Sequence, residues 1–78
     1  MDKSVRIGLY RILRKLRVRR EDIYEDAQLK NNLIENDIEW NCLLFFLESR
    51  FEIQISKNQE NSLTTVGNTI DFIKNTKN

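Results

Sequence analysis

Apolar positions along the chain fall into a helical rhythm broken by one long polar stretch. Val5, Leu9, Ile12, Leu13 and Leu16 follow one another at i, i+4, i+7, i+8 and i+11, a single stripe on a helix of 3.6 residues per turn. The spacing predicts a first helix over residues 2–17. Residues 18–36 are dominated by polar and turn-forming types, with Ile23, Leu29 and Leu33 as isolated apolar anchors. A connection of that length without regular structure is uncommon in a compact domain and is usually functional. Helical periodicity resumes with Trp40, Leu43, Leu44, Leu47 and Phe51, which places a second helix from Asn36 to about Phe51. Asn36 is its natural N-cap, and Glu39, three residues on, is placed to close a capping box. Asp37 and Glu39 in the first turn also suit the positive end of the helix dipole.

Beyond the second helix, Ile53 and Ile55 alternate with polar residues in a short extended link over 52–57. Residues 58–63 then read as a turn or short third helix. A fourth helix starts at Thr64-Thr65, with Thr65 as cap, and carries Val66, Ile70 and Ile73 on one face. The fold class is therefore all-α: three longer helices and one short one, with a long loop between the first and second. Seventy-eight residues make one domain, 1–78, because so short a chain buries only about 60% of its unfolded surface and cannot supply two cores. The absence of proline and the presence of only two glycines, Gly8 and Gly67, leave helices almost uninterrupted.

With the inward stripe of the second helix centred near Leu44, the side that faces away from it carries Ile38, Cys42, Phe45 and Ser49, because each residue turns the direction by about 100°. An exposed line of Ile38, Cys42 and Phe45 asks for a protein partner. With Asp37 and Glu39 at its N-terminal end and Glu48 beside it, the line is a candidate docking face. The competing reading rotates the helix so that Phe45 or Phe46 joins the core.

Charge is strongly segregated along the chain. The first twenty residues sum to +7, with Lys3, Arg6, Arg11, Arg14, Lys15, Arg17, Arg19 and Arg20 against Asp2, while the remainder sums to −6 and the whole chain to +1. A basic first helix is either a solvated outer face or a contact for nucleic acid or another anionic surface. Catalytic chemistry finds little to work with. The chain has no histidine and a single cysteine, Cys42, so neither a zinc cluster nor an internal disulfide is available, and no glycine-rich phosphate loop occurs. No enzyme is expected. No apolar run approaches the ~20 residues that span a bilayer, and the reading is of a cytoplasmic protein, monomeric or weakly dimeric.

Several stretches together resemble an acyl carrier protein. Val18-Arg19-Arg20-Glu21-Asp22-Ile23 followed by Ala27-Gln28-Leu29 matches the spacing of the family's first loop. Leu29 through Ile38 parallels the run that ends in the family's Asp-Ser-Leu motif. Phe51-Glu52-Ile53-Gln54-Ile55, Leu63-Thr64-Thr65-Val66 and Ile70-Asp71-Phe72-Ile73 continue the likeness without a gap, so it covers nearly the whole chain. The resemblance implies a four-helix carrier domain. It also implies that Asp37 occupies the place of the serine that carries the family's 4′-phosphopantetheine arm, since the tripeptide here is Asn36-Asp37-Ile38.

A carboxylate would form at best a hydrolysable mixed anhydride where a hydroxyl forms a stable phosphodiester, and its charge would repel the incoming pyrophosphate. Asp37 is accordingly expected to be unmodified, with no cofactor attached. Ser49 lies twelve residues on, roughly 18 Å along the helix, and cannot substitute. Cys42 is turned by about 140° from Asp37 and has no histidine to activate it. The resemblance also assigns Trp40 and Phe46 to positions that line an acyl cleft in the family, where side chains are typically modest. Both are expected to fill it.

The expected function is an interaction module of the carrier-protein kind, docking through its second helix to a partner in a lipid, polyketide or peptide assembly system. Two alternatives stand beside it. One is a working carrier with a displaced or altered attachment site, and the other is a basic-helix binder of nucleic acid or an anionic surface.

Overall fold

In the computed structural model, which describes residues 2–77, three α-helices surround one apolar core: α1 (Asp2–Lys15), α2 (Asp37–Phe51) and α3 (Val66–Lys77). The short third helix of the sequence reading is a 3₁₀ turn, Gln59–Ser62, and a second 3₁₀ turn, Arg20–Asp22, interrupts the long loop that the periodicity left without structure. α1 packs against both of its α-helical neighbours. Its expected stripe, Val5, Leu9, Ile12 and Leu13, is buried, and Leu16 packs at the edge of the core.

α1 ends two residues earlier than its apolar rhythm suggests. Arg17 adopts a left-handed conformation, φ 72°. Its N–H reaches the Arg14 carbonyl at 3.0 Å, and the Val18 N–H reaches the Leu13 carbonyl at 3.0 Å. That pair of bonds is a Schellman cap, a position where glycine is preferred because a Cβ is strained at positive φ. The Arg14 guanidinium donates to the Val18 carbonyl at 3.2 Å and closes the same turn. An Arg17→Gly variant should therefore be more stable by about 1 kcal/mol, raising Tm by about 4 °C. Thermal unfolding followed by circular dichroism checks this, and a lower Tm would mean that the arginine stem contributes more than the strain costs.

The long loop is pinned at both ends. Val18 is buried at its start, Ala27 is buried midway, and Leu29 has no accessible surface. Near its end the chain folds back in a tight turn over Asn31, where the Asn31 N–H meets the Ile34 carbonyl at 2.9 Å and the Ile34 N–H meets the Leu29 carbonyl at 2.7 Å. Asn31 takes the left-handed conformation, φ 66°, which asparagine tolerates better than most residues. The turn drives Ile34, a residue absent from the expected anchors, into the core at 1% exposure, while the expected anchor Leu33 is only half-buried.

Between these points the loop completes α3. The first N–H groups of a helix lack intrahelical partners. Here Val66 donates to the Ala27 carbonyl at 3.0 Å and Gly67 to the Glu25 carbonyl at 2.9 Å, while the Thr65 hydroxyl, as expected, accepts from the Asn68 N–H at 3.0 Å. In return the Leu29 N–H meets the Thr64 carbonyl at 3.0 Å. Gly67 suits this close approach: a Cβ would stand 2.8 Å from Glu25 Cγ and 3.2 Å from its carbonyl oxygen, so either would have to shift. The loop is thus tied to the far end of the chain, and it carries α2 on a fixed base.

Candidate docking face on the second helix

α2 begins where the Asn31–Ile34 turn releases the chain. Asn36 sits in an extended conformation and its Oδ1 accepts the Glu39 N–H at 2.8 Å, so the expected cap forms. Among the described residues only this forward half of the capping box is made. At the other end Glu52 turns left-handed, φ 55°, and its N–H returns to the Glu48 carbonyl.

The inward face is Trp40, Leu43, Leu47 and Phe51, all buried, while Leu44, expected at the centre of that face, lies half-buried on its flank. With Leu43 and Leu47 at the centre, the helix directs Ile38 and Phe45 outward, and these are 77% and 63% exposed. Ser49 is exposed on the same side and Cys42 is half-buried with a free thiol. Phe45 therefore stays out of the core. Asp37 is exposed at the first position of the helix and Glu39, two residues on, is half-buried. Glu48 is placed differently from its neighbours: its carboxylate accepts the Ile55 N–H at 2.9 Å and holds the link after α2. It borders the face as a structural brace.

Trp40 and Phe46, which the sequence places in one cleft, face different neighbours. Trp40 is buried at 5% exposure, its indole N–H donates to Glu60 Oε1 at 3.2 Å, and the Lys30 ammonium stands 5.3 Å from its ring centroid. The indole thus fills the space between α2 and the two connecting segments with its polar edge satisfied. Neither Lys30 nor Glu60 carries a sequence signal for this role, since they lie ten and twenty residues away and meet Trp40 only through the fold. Phe46 is half-buried on the α1 side, beneath the Lys15 ammonium at 5.3 Å and beside Phe45, with ring centroids 6.0 Å apart.

An open groove of about 290 Å³ lies on another side of the domain, between α1, residues 23–25 and α3. It is lined by Leu9, Tyr10, Ile23, Tyr24 and Val66 among others, and Trp40 does not border it. Among the described residues no helix is long and apolar enough to cross a membrane.

The comparisons with known proteins agree with this architecture. The chain is 34% identical over 64 residues to the acyl carrier protein of Buchnera aphidicola subsp. Acyrthosiphon pisum (strain 5A), a match that covers 82% of this chain and 80% of that one. It is 30% identical over 64 residues to the acyl carrier protein of Sulfurovum sp. (strain NBC37-1), covering 82% and 85% respectively. No protein-family model matches the chain. Identity at this level over most of both chains, on a helical domain with this loop and cap, places the chain in the acyl carrier protein family.

Proposed function

We propose that this carrier-family domain works by docking through α2 and carries no phosphopantetheine arm. The observation that supports it best is the exposed pair Ile38 and Phe45, 77% and 63% accessible, aligned behind an exposed Asp37 at the helix start. Two large apolar side chains left in water on one helix face are the anchors around which a protein interface forms. Asp37 stands, in this reading, at the attachment position of the family. The first turn of α2 offers Asp37, Ile38, Glu39 and Trp40, none of which bears a hydroxyl, so the residues present do not fit a phosphodiester linkage. Trp40 complements the loss by occupying the volume of an acyl guest.

The partner belongs, on this reading, to a lipid, polyketide or peptide assembly system, the setting that family membership supports. It meets α2 with an apolar pocket for Phe45 and cationic groups for Asp37. A Phe45→Asp variant should keep the helical circular dichroism and Tm of the parent, because the side chain is outside the core, while losing the partner that the parent retains in a pull-down from its native extract. A folded Phe45→Asp protein that retains the same partner would remove the docking face from consideration. The family membership itself supports a second reading, a working carrier with an altered attachment site, and the two are separated by mass measurement.

A further inference from the structure

A second groove, of about 390 Å³, runs between α1 and α2 and is lined by Arg11, Ile12, Lys15, Phe46, Ser49 and Arg50. Three cations from two helices line it, and among the described residues no acidic one does. All three are exposed. Arg6, Arg14 and Arg19 are engaged elsewhere: Arg6 pairs with Glu25 at 3.3 Å, Arg19 with Glu21 at 2.6 Å, and Arg14 closes the end of α1. Among the described residues neither Arg11 nor Arg50 has an ion-pair or hydrogen-bond partner, and the Lys15 ammonium has only the Phe46 ring. Like charges gathered in one concavity repel one another unless an anion joins them. Arg50 also lies close against α1. Its Nε lies 2.7 Å from where a Cβ on Gly8 would stand, so the missing side chain on α1 lets the guanidinium lie across the helix.

We infer that this groove binds a phosphate ester whose other end is apolar or aromatic. Two guanidinium forks and an ammonium match the oxygens of a phosphate, the Ser49 hydroxyl adds a donor, and Phe46 with Ile12 offers an apolar floor to the rest of the molecule. The groove volume falls in the lower part of the range for small-molecule sites. A long polyanion fits poorly, since the chain beyond residue 20 sums to −6 and Asp37 and Glu39 lie along the same α2. Two sources supply the required chemistry: a soluble ester such as a nucleoside monophosphate, or a phospholipid headgroup approached by the face of α1 on which Ile7 is exposed. The inference is independent of whether Asp37 is modified.

Amide chemical shifts of the ¹⁵N-labelled protein, titrated with adenosine 5′-monophosphate and separately with adenosine, test the soluble source. Co-sedimentation with phosphatidylglycerol vesicles, against phosphatidylcholine vesicles, tests the lipid source. Saturable shifts at Arg11, Ile12, Lys15, Phe46, Ser49 and Arg50 with the monophosphate but not adenosine support a soluble ester, and binding to the anionic vesicles alone supports a headgroup. In either case an Arg11→Gln/Arg50→Gln variant should bind about tenfold more weakly, through loss of two charge-assisted contacts, and an Arg19→Gln/Arg20→Gln variant of equal charge change should bind as the parent does. Absence of both interactions overturns the inference. So does an equal loss in the two variants, which would reduce the effect to net charge. Circular dichroism of each variant confirms that the fold is intact.

Discussion

Incubated with coenzyme A and a promiscuous phosphopantetheinyl transferase, the protein should keep its intact mass, and an Asp37→Ser variant should gain that of one arm. The expectation is all-or-none because it turns on one atom. The hydroxyl oxygen of a serine, losing its proton, attacks the β-phosphorus of coenzyme A; the pyrophosphate bond breaks, adenosine 3′,5′-bisphosphate leaves, and the phosphodiester that remains survives in water. The Asp37 carboxylate would have to form an acyl phosphate, which does not, and its charge would oppose the approach of an anionic donor.

Geometry favours the rescue. Asp37 is exposed at the first position of α2, and the helix start does not depend on it, because Asn36 supplies the cap through its 2.8 Å bond to the Glu39 N–H. Replacing Asp37 by serine removes a favourable interaction with the helix dipole worth about 0.3–1 kcal/mol, which a folded domain tolerates. A parent protein that gained the arm would sink the docking-only reading and restore a working carrier. An Asp37→Ser protein that stayed unmodified while folded would instead sink the assignment of residue 37 to the attachment position.

Leu47→Ala should bring the domain close to unfolding. Leu47 has no accessible surface and lies midway along the inward face of α2, between Leu43 and Phe51. Truncating a fully buried leucine costs about 3–5 kcal/mol, the sum of lost transfer energy and the cavity left behind. A domain of 78 residues has roughly 4–12 kcal/mol of stability in total, so one such change consumes a large share of it. Tm should fall by about 15 °C or more. Phe45→Ala, two residues away on the opposite side, removes a larger side chain yet should stay within about 0.5 kcal/mol of the parent. The contrast in chemical denaturation tests the rotation of α2 directly: a Phe45→Ala cost comparable to that of Leu47→Ala would mean that the outward face is part of the core.

The candidate site was legible wherever its geometry is set by positions a turn or two apart. The Asn36 cap, the inward run from Trp40 to Phe51 and the outward pair Ile38 and Phe45 all follow from helical periodicity, which acts over three to seven residues. Leu44 was misplaced as the centre of the inward face because periodicity alone leaves a flanking leucine and a central one almost equivalent. The neighbours above the helix decide between them. Glu48 was read as part of a docking rim, and the bond that turns it toward Ile55 depends on the path of the chain seven residues later. Trp40 and Phe46 looked like companions on one helix, but a 240° rotation separates them and each meets a different neighbour.

The amino-acid pattern by itself determined the all-helical class, the three longer helices with their approximate bounds, the Asn36 and Thr65 caps and the face of α2 that is left in water. These depend on local backbone chemistry and on short-period burial, which a chain carries in its order of residues. Only the tertiary structure decided how the long loop is used, with Ile34 buried and the Ala27 and Glu25 carbonyls completing the first turn of α3, and only it gathered Arg11, Lys15 and Arg50 around one groove. Helical periodicity puts Arg11 and Lys15 on one face of α1, but Arg50 and the loop carbonyls stand 35 to 42 residues from the groups they meet, and no periodicity brings those together. Their meeting is set by how α1 packs against α2 and where a loop can find partners for its backbone.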